Sequence, residues 1–228
     1  MPSWPPPSVR RSWAASSPVE FADRADAGRQ LAAKLVAFEG PDTLVLGLPR
    51  GGVPVAFEVA AALHAPLDVF IVRKLGVPGH EELAMGAIAS GGMRVANWSV
   101  IEELGIPRSV FDDVAASEQL ELERRERLYR AGRPPLEVRD KSVIVADDGL
   151  ATGSSMRAAV AALRERRPAR IIVGVPVGAP ATCAALRSSV DAVVCVLVPE
   201  PFHGVGEWYT DFHQTTDDEV RALLSAAA

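Results

Sequence analysis

The sequence contains little cysteine and no cluster of potential metal ligands. Its 228 residues include two cysteines, Cys183 and Cys195, both in apolar surroundings, and no CxxC pattern. The four histidines do not accompany them at a spacing typical of zinc sites. Because disulfides are typical of secreted proteins, we expect both cysteines to be reduced core residues, with a disulfide as the less favoured alternative.

A basic excess and a long apolar run are missing as well. The chain has 24 Lys and Arg against 29 Asp and Glu, a formal charge of −5, which argues against a general nucleic-acid binder. No run is long enough to span a bilayer, and the first residues lack the apolar centre of a signal peptide. We therefore expect a cytoplasmic protein without a nucleic-acid or membrane partner.

The beginning of the chain differs in composition from the rest. Residues 1–18 are rich in proline and serine and are predicted to form a disordered tail. Residues 19–228, with ample apolar content for a core, are predicted to form one domain.

Helical and strand patterns alternate along this domain, which indicates an α/β fold with a mainly parallel sheet flanked by helices. Predicted strands cover residues 43–48, 67–72, 143–146, 170–175 and 192–198. Predicted helices cover residues 21–38, 53–63, 180–186 and 216–224, and an exposed helix with i,i+4 ion pairs covers 108–131. Loops are predicted at 74–83 and 204–209, and an antiparallel flap with a hairpin at Gly91 and Gly92 is predicted within 85–97.

The most informative segment is the one around an acidic pair. Residues 143–146 are all apolar, as in a strand that is covered on both faces. Asp147 and Asp148 follow at the carboxyl end, where open α/β sheets bind ligands. The next seven residues are mostly small or hydroxylated and lead into an Ala-rich helix. Such a helix N-terminus is suited to a phosphate group.

Two carboxylates beside a phosphate would repel it unless they face another group. Sugar hydroxyls or a divalent cation would fit, so the pattern indicates a phosphorylated sugar such as ribose. The alternative is a solvated Asp-Asp-Gly turn with a Ser or Thr N-cap. The segment is not a Walker loop, because no Lys follows Gly153, and the chain has no GxGxxG.

This segment resembles the phosphoribosyl-pyrophosphate (PRPP) binding motif of type I phosphoribosyltransferases. The resemblance implies that Asp147 and Asp148 hold the ribose 2′- and 3′-hydroxyls, directly or through Mg²⁺ and water. It also implies a flexible lid and a small C-terminal hood, and it extends over about residues 20–220. The residues implied to bind the 5′-phosphate are Gly149, Leu150, Ala151, Thr152, Gly153, Ser154 and Ser155.

A second glycine-rich corner follows the first predicted strand. Arg50, Gly51 and Gly52 open the next helix, and a cation with backbone donors suits an anion. The segment is similar to the family's pyrophosphate loop, which implies that these three residues bind pyrophosphate. The family often has a cis non-proline peptide here, and Arg50–Gly51 is the expected bond. The alternative is an ordinary turn.

Two cations end the strand predicted at 67–72. In family members that use orotate or adenine, an Arg-Lys pair at a strand end leads into a flexible lid. By this resemblance Arg73 and Lys74 are catalytic and residues 75–83 form the lid, which excludes water when closed. His80 and Glu81 are weaker candidates within it, and the alternative is a solvated loop.

Aromatic residues follow the last predicted strand. Phe202, Trp208 and Tyr209 resemble the family's hood, which stacks on the acceptor base, although core packing is an equal alternative. Members that use 6-oxopurines have an Asp before the Thr of the phosphate loop, and this chain has Ala151 there. The sequence therefore argues against hypoxanthine or guanine as the acceptor.

The resulting hypothesis is a Mg²⁺-dependent phosphoribosyltransferase that uses PRPP and a small nitrogen nucleophile and releases pyrophosphate. The alternative is a non-catalytic protein that senses PRPP or a nucleotide on the same fold. A nucleic-acid-binding regulator is the third possibility, but the sequence has no recognisable helix-turn-helix. A homodimer is a candidate assembly.

Overall fold

The computed structural model describes residues 21–227, so the predicted tail at 1–18 lies outside the described residues. The α-helices are α1 (Arg24–Leu35), α2 (Gly52–Ala62), α3 (Trp98–Glu103), α4 (Arg108–Arg130), α5 (Ser154–Glu165), α6 (Pro180–Leu186) and α7 (Asp217–Ala226). The strands are β1 (Thr43–Gly47), β2 (Leu67–Val69), β3 (Val72–Val77), β4 (His80–Ala89), β5 (Met93–Ala96), β6 (Ser142–Ala146), β7 (Arg170–Val177) and β8 (Ala192–Leu197). Two short 3₁₀ segments cover Val36–Phe38 and Val205–Trp208.

A five-stranded sheet in the order β2-β1-β6-β7-β8 forms the centre of the protein, and all its strand pairs are parallel. Residues of β6 alternate between two cores, since Ile144 packs with α1, α2, α4 and α7 while Val143 and Val145 pack with α5 and α6. Both faces are therefore covered, which explains why the strand is apolar throughout. The predicted fold, a mainly parallel sheet flanked by helices, is confirmed.

The prediction of a loop at residues 74–83 is wrong. After β2 the chain enters a separate antiparallel sheet, β3-β4-β5, and a turn at Pro78 and Gly79 joins its first two strands. Leu75 and Val77 alternate inward and pack in the core that includes α4. This two-residue period is that of a half-buried strand, and the exposed Lys74 lies on its outer face. We call this three-stranded sheet the arm.

The exposed helix predicted at 108–131 is only partly correct. Glu121 and Arg125 form the expected ion pair at 2.8 Å on α4. Arg130 is instead 7% exposed, and its guanidinium lies 3.1 Å from a carboxylate oxygen of Asp68 and 2.8 Å from one of Glu126. These contacts anchor the end of α4 to β2.

Other predicted elements shift at their ends. The helix predicted at 21–38 begins at Arg24, because the Asp23 side chain accepts a hydrogen bond from the N–H of Asp26 and caps it. The strand predicted at 67–72 divides between β2 and the arm, and α3 was not predicted. Among residues 21–227, no helix is both long and apolar enough to cross a membrane.

Candidate functional site

The phosphate loop predicted from the sequence lies between β6 and α5. Thr152, Ser154 and Ser155 are exposed, and the Oγ atoms of Thr152 and Ser154 are 3.2 Å apart. Gly153 has a φ of 71°, and a Cβ there would lie 2.6 Å from Thr182 Cγ2. Both the positive φ and the close contact therefore favour glycine. The loop presents hydroxyls and the N-terminal amides of α5 to one surface, an arrangement suited to an anion.

The acidic pair is half-buried at the start of this loop. The Asp147 carboxylate accepts a hydrogen bond of 2.9 Å from the N–H of Asp148. Burial raises the pKa of Asp147 well above its usual range, and the charge of Asp148 adds to this increase. Burial also raises the pKa of Asp148, although an arginine described below opposes the shift. The pair therefore has a stronger tendency to take up protons or positive partners than a solvated turn would have.

The second glycine-rich corner lies directly beside the acidic pair, because β1 and β6 are neighbours in the sheet. The N–H of Leu48 donates a 2.9 Å hydrogen bond to Ala146 O. A Cβ added at Gly51 would lie 2.0 Å from Asp148 Oδ2, and one added at Gly52 would lie 2.7 Å from Ala146 O. The structure thus brings the two sequence signals together at one edge of the sheet.

The cis peptide bond expected at Arg50–Gly51 is one residue earlier, at Pro49–Arg50. Both bonds precede a non-proline residue, so local preference does not distinguish them. The Arg50 side chain reaches toward α7, where its guanidinium lies 3.9 Å from Asp217 Oδ1. The Tyr129 hydroxyl donates to the same carboxylate oxygen at 2.6 Å.

Arg24 is part of the site and was missed in the sequence. Its Nε donates to Asp148 Oδ2 at 2.8 Å, and its Nη1 donates to His213 O at 2.6 Å. Its guanidinium carbon lies 3.9 Å from the centre of the Phe212 ring, close enough for a cation–π interaction. One signal was available, because a cation at the first position of a helix is unfavourable for the helix dipole and needs a partner.

The predicted hood is joined to the start of the described chain. The N–H of Phe21 donates to Trp208 O, and the N–H of Thr210 donates to Phe21 O, both at 2.8 Å. The Tyr209 ring lies between the rings of Phe21 and Phe212, with centroid distances of 5.3 and 4.9 Å. We use the term hood for these residues together with Phe202.

Tyr209 contacts the backbone of the acidic pair. It is 6% exposed, its hydroxyl donates to Asp148 O at 2.5 Å, and burial raises its pKa. Phe202 and Trp208 are half-buried in the same cluster. Within residues 21–227, Trp208 Nε1 is a buried side-chain donor without a hydrogen-bond partner. Base binding by these three aromatics stays a prediction.

The two predicted catalytic cations and the two predicted lid residues lie on the arm. Arg73 is paired with Glu118 of α4, and Lys74 Nζ lies 3.3 Å from Glu82 Oε2. His80 and Glu81 are exposed beside the turn. In the part of the chain that the structure describes, no hydrogen bond or ion pair joins these residues to the phosphate loop. The arm begins beside the site, however, because the N–H of Phe70 donates to Gly47 O at 3.0 Å.

The candidate site is an open corner of the surface. Two cavities, of about 490 and 340 Å³, are not lined by the phosphate loop, and the smaller one borders the site at Arg24. The larger lies between α1 and α2, and the smaller is lined by Arg24, Pro54, His213 and α7. We place the site by its chemistry, because an exposed anion-binding corner need not be concave.

The fold and the site define an α/β protein in which two glycine-rich corners lie beside an acidic pair. A family model described as "Phosphoribosyl transferase domain" matches residues 20–207. The chain belongs to this phosphoribosyl transferase family.

Two curated relatives from Mycobacterium tuberculosis and one solved structure are similar to most of the chain. "Putative phosphoribosyl transferase Rv0571c" of strain H37Rv is 45% identical over 207 residues, which are 91% of this chain and 47% of that protein. The corresponding protein of strain CDC 1551, MT0597, matches equally. The chain thus spans about half the length of these relatives. The crystal structure of TT1426 from Thermus thermophilus has a TM-score of 0.83 and 40% identity, and the match covers 92% of this chain and 99% of that one.

Proposed function

We propose that this protein is a phosphoribosyltransferase that transfers the phosphoribosyl group of PRPP to a nitrogen nucleophile and releases pyrophosphate. One observation carries the proposal, namely the position of two anion-binding corners on either side of the acidic pair, at the ends of β6 and β1. PRPP has the matching arrangement, a phosphate at one end, a pyrophosphate at the other and a diol between them.

Each group of residues has a part in this proposal. The amides and hydroxyls of residues 149–155 bind the 5′-phosphate. The carboxylates of Asp147 and Asp148 accept hydrogen bonds from the ribose hydroxyls. Arg50, with the backbone of Gly51 and Gly52, binds the pyrophosphate. The protein accelerates the transfer by positioning the two substrates and by stabilising the charge that develops on pyrophosphate.

The arm supplies the remaining cations of the proposal. Arg73 and Lys74 exchange their present carboxylate partners for the leaving pyrophosphate when the arm closes over the bound substrate. His80 and Glu81 lie beside the turn, at the tip of the arm. Phe202 and Trp208 stack on the acceptor, with Tyr209 as their support.

The residues present fit a Mg²⁺ ion that is held mainly by the substrate. Among residues 21–227, no three His, Cys, Asp or Glu side chains form a metal-binding group, and Asp148 already has Arg24 as a partner. Two carboxylates beside a phosphate site fit Mg²⁺, which keeps several waters and substrate oxygens as ligands. When bound with PRPP, Mg²⁺ neutralises part of the pyrophosphate charge.

A screen of acceptors tests the proposal. Purine and pyrimidine bases and ammonia are each incubated with the protein, PRPP and Mg²⁺, and pyrophosphate release is measured. We expect release that depends on one class of nitrogen acceptor, with the reaction without acceptor as the control. Tight PRPP binding without release for any acceptor would contradict the enzyme and support the non-catalytic sensor.

Poor activity toward hypoxanthine and guanine is expected. Ala151 stands where 6-oxopurine-using relatives have a carboxylate that protonates the base, and it is exposed at the phosphate loop. Without a carboxylate at this position, a leaving or attacking 6-oxopurine lacks its proton donor or acceptor. Steady-state kinetics with each base measures the effect against the best acceptor of the screen. Equal kcat/KM for hypoxanthine or guanine and that acceptor would show the prediction to be wrong.

Amide hydrogen exchange in residues 75–83 is expected to slow when PRPP and Mg²⁺ are added. The strand pairing is irregular between Leu75 and Val77, and residues 78–83 beyond them are all exposed, so few buried contacts hold the turn of the arm. Closure over PRPP would protect its amides. The buried amides of β6 serve as the internal control, since they are protected in both states. Unchanged exchange at saturating ligand would contradict a closing lid.

A further inference from the structure

Cys183 and Cys195 lie on two consecutive elements, and their side chains are adjacent in space. Cys183 lies on α6 and Cys195 lies on β8, and their Sγ atoms are 3.2 Å apart. Both are free thiols; Cys183 is buried and Cys195 is half-buried. The sequence predicted reduced core residues, with a disulfide as the less favoured alternative, and the fold shows that the two thiols are in contact.

The thiol pair lies next to Gly178, whose two chain neighbours are hydrogen-bonded to the phosphate loop. A Cβ added at Gly178 would lie 2.4 Å from Cys183 Sγ and 3.6 Å from Cys195 Sγ, so the missing side chain makes room for both sulfurs. Gly178 in turn forms a parallel bridge with Leu150 of the loop. The N–H of Leu150 donates to Val177 O at 2.9 Å, and the N–H of Ala179 donates to Leu150 O at 2.8 Å.

The two thiols differ in reactivity. A hydrogen bond from the Cys195 thiol lowers the pKa of Cys183 to about 7, and the charge of Arg187 contributes to the same direction. The interaction with Cys183, together with burial, raises the pKa of Cys195. The thiolate is the reactive form of cysteine, so Cys183 is the nucleophile and Cys195 the resolving thiol.

We propose that Cys183 and Cys195 form a reversible disulfide when hydrogen peroxide reaches them, and that this disulfide weakens phosphate binding at the adjacent loop. The Cys183 sulfur attacks one peroxide oxygen, the O–O bond breaks, and sulfenic acid and one water are formed. The Cys195 sulfur then attacks the Cys183 sulfur, the S–O bond breaks, and its oxygen leaves as a second water. The peroxide is reduced by two electrons, and the two thiols are oxidised to the disulfide.

The effect on the loop follows from the contacts of α6. A disulfide bond is about 2.05 Å long, so the sulfurs must approach one another from their present 3.2 Å. Thr182 precedes Cys183, and its hydroxyl donates a 2.6 Å hydrogen bond to Ala151 O in the phosphate loop. Movement of Cys183 toward β8 therefore draws Thr182 away from Ala151 and releases the loop carbonyl. This second part of the proposal rests on the proposed function.

The first experiment tests disulfide formation without reference to activity. The full chain is treated with hydrogen peroxide, and intact-mass measurement is expected to show the loss of two hydrogens, reversed by dithiothreitol. In C195S, where no resolving thiol exists, dimedone is expected to label Cys183 as the sulfenic acid. Persistence of both free thiols, cross-links between chains, or dimedone labelling confined to Cys195 in C183S would overturn this part.

The second experiment tests the coupling to the loop. Ribose 5-phosphate binding is measured by calorimetry before and after oxidation, and we expect the affinity of the oxidised wild type to fall by about threefold or more. C183S treated in the same way is the control for methionine oxidation, and its affinity should not change. Equal affinities of a fully oxidised and a reduced wild type would overturn the coupling. Failure of ribose 5-phosphate to bind either form would instead contradict the proposed function, while the mass measurement would still decide on the disulfide.

Discussion

Asparagine at both positions of the acidic pair is expected to lower PRPP affinity in the presence of Mg²⁺ by about tenfold or more, which corresponds to about 1.4 kcal/mol. Asparagine keeps the size of aspartate and can still cap a turn. It removes charge-assisted acceptors for the ribose diol, each worth roughly 1.5–3 kcal/mol. Calorimetry of D147N/D148N with PRPP and Mg²⁺ measures the loss.

D218N is the matched control for this double variant, because Asp218 is an acidic residue of α7 with a side chain that is 90% exposed. Its PRPP affinity should equal that of the wild type. If D147N/D148N is folded and binds PRPP as the wild type does, the acidic pair only caps a turn and the site assignment is wrong.

The single variant D147N tests the effect of the acidic pair on the stability of the protein, apart from its effect on PRPP binding. The pKa of Asp147 is raised in the folded protein, so the folded state holds this proton more tightly than the unfolded state does. The protonated Asp147 carboxyl therefore contributes most to stability below the ordinary pKa of aspartate. This contribution is lost as the pH rises through the raised pKa of the folded state. Asparagine does not titrate, so D147N does not lose stability in this way as the pH rises. Its stability relative to the wild type should therefore increase from about pH 4 to pH 7, as thermal melts can measure.

Replacement of Arg24 by alanine is expected to lower the free energy of unfolding by about 3–5 kcal/mol, the usual cost of breaking a buried ion pair. The side chains of Arg24 and Asp148 are only 10% and 17% exposed, so the variant leaves a carboxylate without its partner and away from water. The contacts with Phe212 and His213 O are lost as well. Urea denaturation measures the difference.

R29A is the control on the same helix. The Arg29 side chain is 58% exposed, and its distances to Asp26 and Glu58 are 3.7 and 3.6 Å, so its loss should cost less than about 1 kcal/mol. A double-mutant cycle of R24A and D148N then isolates the interaction free energy between Arg24 and Asp148. Equal losses in R24A and R29A would show that the pair does not contribute to stability.

The parts of the site that the sequence predicted are local. Strand β6, the acidic pair and the phosphate loop follow one another within residues 142–155, so their order alone determines a strand, a turn and a helix start. The corner at Arg50 follows β1 in the same way. The sequence did not predict that the two corners meet, which follows from the pairing of β1 with β6.

The parts that were missed depend on tertiary packing. The Arg24–Asp148 pair joins residues that are 124 positions apart in the sequence, and no local pattern links them. The contact of Cys183 with Cys195 arises because β8 lies beside β7 and Gly178 has no side chain. Residues 74–83 of the arm were predicted as a loop because they contain polar residues and two glycines. The packing of Leu75 and Val77 against α4 identifies the inner face of β3.

The pairing of β1 with β6 also determines when the site can exist during folding. Thr43 pairs with Ser142, and α2, β2, the arm, α3 and α4 lie between them in the chain. Closing such a long segment has an entropic cost that must be met before the pairing stabilises the fold, and parallel sheets of this kind fold slowly. Neither corner faces the other until this closure is complete. During synthesis, the ribosome must therefore release β6 before the two corners can form one surface.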